Sequence, residues 1–266
     1  MARPTANEAW TATLDFLRRD GRLVLTLGLG TLFLAQVVNT LLGSVVPRPL
    51  MGLVALAVAF WTVVGELALV AITLAGGMSV REALGAGLRR VPWAILLYLL
   101  VGAAVVLAMA PVGMAAMKTG YTVQQLQQLG GNPEAMQQFI QSLPNSAKLY
   151  LVLFSAAILF FYVRILFWRQ ALVGRDQGLF AALGDSWRAT QGRFWALLGL
   201  SLLYGLVTLL VSWATTAVFG TILVLLLGRA AGVALASVVV AFVVTLLTIV
   251  WIVFLTRYWQ RASSGT

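Results

Sequence analysis

Residues Val233 to Leu255 read VALASVVVAFVVTLLTIVWIVFL, 23 positions without one charged side chain. Wound as an α-helix, that stretch is about 34 Å long, enough to cross the roughly 30 Å hydrocarbon core of a bilayer. Runs of the same kind recur towards the N-terminus: Phe194 to Gly228, Leu149 to about Val173, Pro92 to Met117, Leu50 to Ala75 and Leu23 to Val46. The 266 residues are 61% hydrophobic and 10% charged, against about 25% charged in soluble proteins. The pattern predicts an all-α integral membrane protein, a single transmembrane domain over 1–266 with six transmembrane helices.

The breaks between runs are chemically explicit. Val46-Pro47-Arg48-Pro49 cannot continue a helix through two prolines. Gly76-Gly77 ends the second run, and Pro111 predicts a kink or late break in the third. Residues 118–148 form the one long polar connection, with seven glutamines, a Gly130-Gly131 break and an Asn132-Pro133-Glu134 helix start. Behind that start, Met136, Phe139, Ile140 and Leu143 fit a short amphipathic helix. The run from Phe194 to Gly228 is too long for one crossing. It predicts a span to about Thr215, followed by an interfacial or re-entrant piece over 217–228.

Composition excludes much chemistry. There is no cysteine and no histidine, so thiolate nucleophiles, disulfides, Cys/His zinc sites and histidine-assisted triads are all ruled out. No cofactor and no catalytic residue is predicted. Sixteen of the eighteen basic residues are arginine and the formal net charge is +10. They cluster at the ends of apolar runs, which points to anionic lipid headgroups as partners and away from nucleic acid. Fourteen fall on one side of the six-span arrangement. Arg48, Lys118, Lys148 and Arg229 fall on the other. The positive-inside rule then places both termini in the cytoplasm and the glutamine-rich loop outside.

Each pair of spans is preceded by an amphipathic segment. Thr5 to Glu8 and Ser79 to Glu82 are capping boxes. Apolar stripes follow at Trp10, Leu14 and Leu17, at Val80, Leu84, Leu88 and Val91, and at Leu179, Phe180, Leu183 and Trp187. Ala12 to Arg19, Ala83 to Arg90 and Ala182 to Ala189 align without gaps. They predict three parallel repeats of an elbow helix plus a helix pair, at approximately 5–75, 79–173 and 176–258, with all elbows on the cytoplasmic face.

The third copy is the most specific. Ala181-Ala182-Leu183-Gly184-Asp185-Ser186-Trp187-Arg188-Ala189-Thr190-Gln191-Gly192-Arg193-Phe194-Trp195 resembles the A-L-x-x-S-W-x-x-T-x-G-x-x-W signature of a bacterial membrane family. This is the membrane-domain family of glycerophosphoryl diester phosphodiesterases, which is similar to the YciC-like uncharacterised six-helix proteins. The resemblance implies a bacterial cytoplasmic (inner) membrane protein. It implies no phosphodiesterase activity, because the catalytic barrel needs histidines and about 250 residues of its own.

Glu66 and Arg164 are the ionisable residues set deepest in the runs, and they are expected to neutralise each other inside the bundle. A substrate or proton role, or snorkelling of Arg164, is the alternative. Arg89, Arg90, Trp187, Arg188, Arg193, Arg257 and Arg261 are candidates for the interface or for lipid headgroups. Trp187 reads as an anchor and Gly192 as a turn into the next span. Gly28, Gly30, Gly199 and Gly205 read as close-packing positions. The expected function is non-catalytic: a membrane-organising or lipid-interacting accessory protein. The alternative is a small transporter or channel that uses Glu66 and Arg164.

Overall fold

The computed structural model describes residues 5–42, 48–122, 125–126 and 133–263. The Val46-Pro47 turn and the Gly130-Gly131-Asn132 break lie outside the described residues. Among these, secondary structure is helical throughout, with no strand. Six helices are long and apolar enough to cross a membrane: Ala6–Leu41, Leu50–Ala75, Val80–Lys118, Asn145–Gly174, Phe194–Leu227 and Arg229–Ser263. The chain divides into two units, Met1–Ile95 with Arg164–Thr266, and Leu96–Val163.

In the first unit, α1 (Ala6–Gly28) starts on the Thr5/Glu8 capping box and passes through a π turn, Leu29–Phe33, into α2 (Leu34–Leu42). α3 (Arg48–Ala75) stops where Gly76 and Gly77 take φ values of 64° and 69°, a conformation open to residues without a Cβ. α4 (Val80–Lys118) starts on Ser79, whose hydroxyl accepts from the Glu82 amide at 3.3 Å. Buried leucine, isoleucine and valine from α1, α3 and the last long helix make the core, among them Val24, Leu27, Leu69, Ile72, Ile249 and Val253. A Cβ on Gly28 would collide with the Ile249 side chain, so this glycine sets how closely α1 packs. Gly30, Gly199 and Gly205 have open space around them and carry no such role.

The second unit holds the C-terminal part of α4, then α5 (Pro133–Ser142) and α6 (Asn145–Arg164) as far as Val163. Val112, Ala116, Phe139, Leu143 and Ala147 are its core. The Tyr150 hydroxyl donates to the Ala108 carbonyl at 2.6 Å.

The chain returns to the first unit with α7 (Trp168–Gly174), α8 (Leu179–Thr190) and α9 (Phe194–Thr215). It then continues through a second π turn (Thr216–Gly220) into α10 (Thr221–Leu227) and α11 (Arg229–Ser263).

Three expectations change. α4 runs on through Pro111 to Lys118 instead of breaking. The piece expected to be separate over 217–228 continues the same helix, because no terminator occurs before Gly228 at φ 78°. The π turn at 216–220 takes up the change of phase. Of the three elbows, only the third is a helix of its own. Gln191 is extended and Gly192 sits at φ 69°, whereas the first two elbows meet no left-handed residue and run straight into their spans.

Candidate functional site

α6 ends at Arg164 and α7 begins at Trp168, so the turn between them leaves backbone groups without helical partners. Ser186, fully buried on α8, closes that gap. Its hydroxyl donates to the Arg164 carbonyl at 2.9 Å and accepts from the Phe167 amide at 3.0 Å. Asp185 beside it is 6% exposed. Its carboxylate accepts from Arg175 at 2.7 Å, Gln177 at 2.6 Å and Arg188 at 2.5 Å. Burial pushes the Asp185 carboxyl up, but the Gln177 hydrogen bond and the Arg175 and Arg188 charges outweigh it and hold it below the usual carboxylate range. Thr190 donates to the Trp187 carbonyl at 2.9 Å. Of the signature, the serine fastens the helix over the break, while the threonine closes the last turn of that helix and Gly192, at φ 69°, ends it.

Trp187 is half-buried, not a free anchor, and the Arg164 guanidinium lies 5.1 Å from its ring centroid and 5.8 Å from that of Phe194. The expected Glu66–Arg164 pair is thereby corrected. The partner of Glu66 is Arg169, at 2.8 Å, with 17% and 29% of the two side chains exposed. The reason lies in the turn at 165–167. It directs Arg164 towards α8 and sets Arg169 on α7, the helix that packs against α3.

The remaining candidates fall at the ends of helices. Arg89 is exposed and donates to the Gly85 carbonyl at 3.4 Å. Arg90 pairs with Asp176, and with Arg89 and Ala86 they border a cavity of about 530 Å³. Arg188 meets Asp185, and Arg193 immediately precedes α9. Arg257 lies with its guanidinium 4.4 Å from the Phe16 ring centroid, and its amphipathic neighbours Tyr258 and Trp259 are buried. Arg257, Tyr258 and Trp259 thus pack inward, against Phe16, Phe167 and Gly174, and leave Arg261 as the more open end of the cluster. Arg261 stands 3.9 Å from Glu8.

The elbows dock by only part of the apolar stripe: Val91 and Leu179 are buried, and Leu17, Val80 and Leu84 pack on the core. Ala9, Thr13 and Phe16 are buried on α1, Ala83 and Gly87 at the start of α4, and Ala182, Asp185 and Ser186 on α8. Other large residues of the stripes turn outward: Trp10 and Leu88 are exposed, Phe180 is 73% exposed, and Trp195 just beyond the third elbow is 80% exposed. Asp185 and Arg169 are the residues that sequence reasoning passed over. Their signal was present, the one acid of the third elbow and a second arginine in the fourth run.

One family model, described as "Domain of unknown function (DUF7847)", matches residues 6–262. No curated protein and no solved structure matches the chain.

Proposed function

The chain belongs to the DUF7847 family, and we propose that it is a non-catalytic, multi-pass membrane protein that binds lipids and organises the bilayer around it. The outward elbow faces carry this reading. Ala9, Thr13, Ala83, Ala182 and Ser186 dock inward together with Phe16 and Leu179, while Trp10, Leu88 and Phe180 point out beside Arg18, Arg89 and Arg188. Large apolar groups next to arginines are what an interfacial helix presents to acyl chains and anionic headgroups. The membrane in this reading is the bacterial cytoplasmic one, with three parallel repeats and both termini inside. The likeness of the Ala181–Trp195 segment to the phosphodiesterase membrane-domain signature supports it. In nanodiscs of mixed phosphatidylglycerol and phosphatidylcholine, the purified protein should retain phosphatidylglycerol in excess of its bulk fraction when its bound lipids are weighed by native mass spectrometry. Retention in bulk proportion would sink the reading.

A second reading, a small transporter, rests on a different observation. A cleft of about 700 Å³ between α2, the second π turn, α10 and α11 is lined by Gln36, Thr40, Thr216, Thr221 and Ser237. The chain has no cysteine, so single cysteines report cleanly. Thr5→Cys should resist an impermeant thiol reagent in spheroplasts and Ser142→Cys should label. The reverse would overturn the orientation. Ser237→Cys should resist the same reagent if lipid fills the cleft, and label if water does, which would favour transport.

A further inference from the structure

A second cavity, of about 460 Å³, lies between the start of α1, α9 and α11. Trp10, Leu203, Tyr204, Leu247, Trp251 and Phe254 wall it, and its lining is almost wholly apolar. The walls are held rigid by ring contacts. Tyr204 stacks on Trp251 with centroids 4.5 Å apart, Trp251 on Phe254 at 5.7 Å, and Phe254 meets Trp10 at 6.2 Å. The Tyr204 hydroxyl stands 3.3 Å from the Thr248 hydroxyl. A groove of this size and character fits an alkyl chain.

What occupies the groove follows from the residues beyond its end. On α11, Arg261 comes seven residues after Phe254. Ahead of α9, Arg193 comes seven residues before Leu200, another groove residue. In a helix, seven residues return to nearly the same face, about 10 Å further along. Arg193 stands just before the first turn of α9 and Arg261 in the last turn of α11, so the two arginines flank the same end of the groove. The third wall brings Glu8 to that end, 3.9 Å from Arg261, which leaves a net positive charge there. A fatty carboxylate would hold its charge at the groove mouth. A charge about 10 Å further out needs a glycerol ester between chain and anion.

We propose that this groove is a specific site for an anionic phospholipid, with one acyl chain against Trp251 and Tyr204 and the phosphate between Arg193 and Arg261. Glu8 is the built-in competitor for Arg261. The site rests on the lipid-binding reading above and gives it a place and a lipid class.

The test uses the full chain in nanodiscs with phosphatidylglycerol or phosphatidylcholine that carries a diazirine on the acyl chain. Captured peptides are then mapped by mass spectrometry. Capture should concentrate on the segments around Leu203 and Leu247, and excess unlabelled phosphatidylglycerol should compete where phosphatidylcholine does not. Arg193→Gln with Arg261→Gln should lower capture of phosphatidylglycerol about fivefold or more, the effect of about one headgroup contact. Glu8→Gln keeps the helix cap, because glutamine also serves in a capping box. It should raise capture about twofold or more by removing the negative charge beside Arg261, an increase that a merely structural role cannot give. Capture spread evenly over outward residues such as Leu209 and Leu225 would overturn the site. So would equal competition by the two lipids, or Glu8→Gln leaving capture unchanged or lower. If bulk retention of phosphatidylglycerol persists while the groove stays unlabelled, this site fails and the broader lipid-binding reading stands. If neither appears, both fail.

Discussion

Asp185→Asn should destabilise the protein by on the order of 2 kcal/mol at neutral pH, the range for hydrogen bonds to charged groups after discounting for solvent. The carboxylate is buried while Arg175 and Arg188 reach it from more exposed positions, so salt screens part of the attraction. Asparagine can keep at most the two donors that share one oxygen, Arg175 and Gln177. It then turns an N–H towards Arg188 and leaves two guanidinium groups beside a neutral site. The effect carries a pH signature with a fixed sign. Arginine, glutamine and burial together hold the folded-state carboxyl below its ordinary value, which is about 3.9 when unfolded. The stabilisation is therefore fully present above that value, and is lost as pH falls through the lower, folded one. Detergent melting of wild type and Asp185→Asn should differ by a constant margin from pH 5 to 8, and the margin should close below about pH 4. A margin unchanged at pH 3 would mean that the charge of Asp185 holds nothing.

The same cluster marks where the sequence stops being legible. Helix ends built from neighbours in the chain are readable: Thr5 with Glu8, Ser79 with Glu82, and the Gly76-Gly77 stop all lie within four residues of the groups they satisfy. The number and length of apolar runs are readable too, because crossing length is a property of composition. The break at Ile165 to Phe167 is not. Nothing local ends a helix there, and it persists because Ser186, some twenty residues on, satisfies its free carbonyl and amide. The docking face of the elbows is not readable either. In a soluble helix the largest apolar residues point to the core. A helix next to lipid has apolar surroundings on both sides, so hydrophobicity alone does not choose the docking face, and small residues share the contact with large ones such as Phe16 and Leu179. That is why Ala83 and Gly87 are buried and Leu88 is exposed. The continuation past Thr215 was hidden for a related reason. A sequence pattern measures how much helix fits a bilayer, whereas the chain obeys the next terminator, Gly228.

Glu66 and Arg169 should behave as one unit, and Arg164 should not belong to it. An arginine at the centre of a membrane helix costs about 2.5–3.5 kcal/mol by insertion scales, and it cannot lose its charge. The 2.8 Å contact with Glu66, only partly exposed to solvent, offsets that cost. The ring of Trp168, with its centroid 5.1 Å from the Arg169 guanidinium, offers a weaker second contact. Glu66→Gln therefore takes the carboxylate away from the arginine, and Arg169→Gln leaves a carboxylate among apolar neighbours. Each single change should cost on the order of 2 kcal/mol in detergent melting. The double change should recover about 1–3 kcal/mol of the summed loss, the coupling expected of groups in contact. The control is the arginine five positions earlier. Arg164 lies over Trp187, so Arg164→Gln combined with Glu66→Gln should give losses that add. Additive losses with Arg169 and coupling with Arg164 would reverse the assignment, because the turn at 165–167 would then not separate the two arginines. Coupling with Arg169 alone fixes the pair as a neutralised strut between α3 and α7. A strut of that kind holds no spare charge for a moving substrate, which is what the lipid-binding reading requires and the transport reading does not.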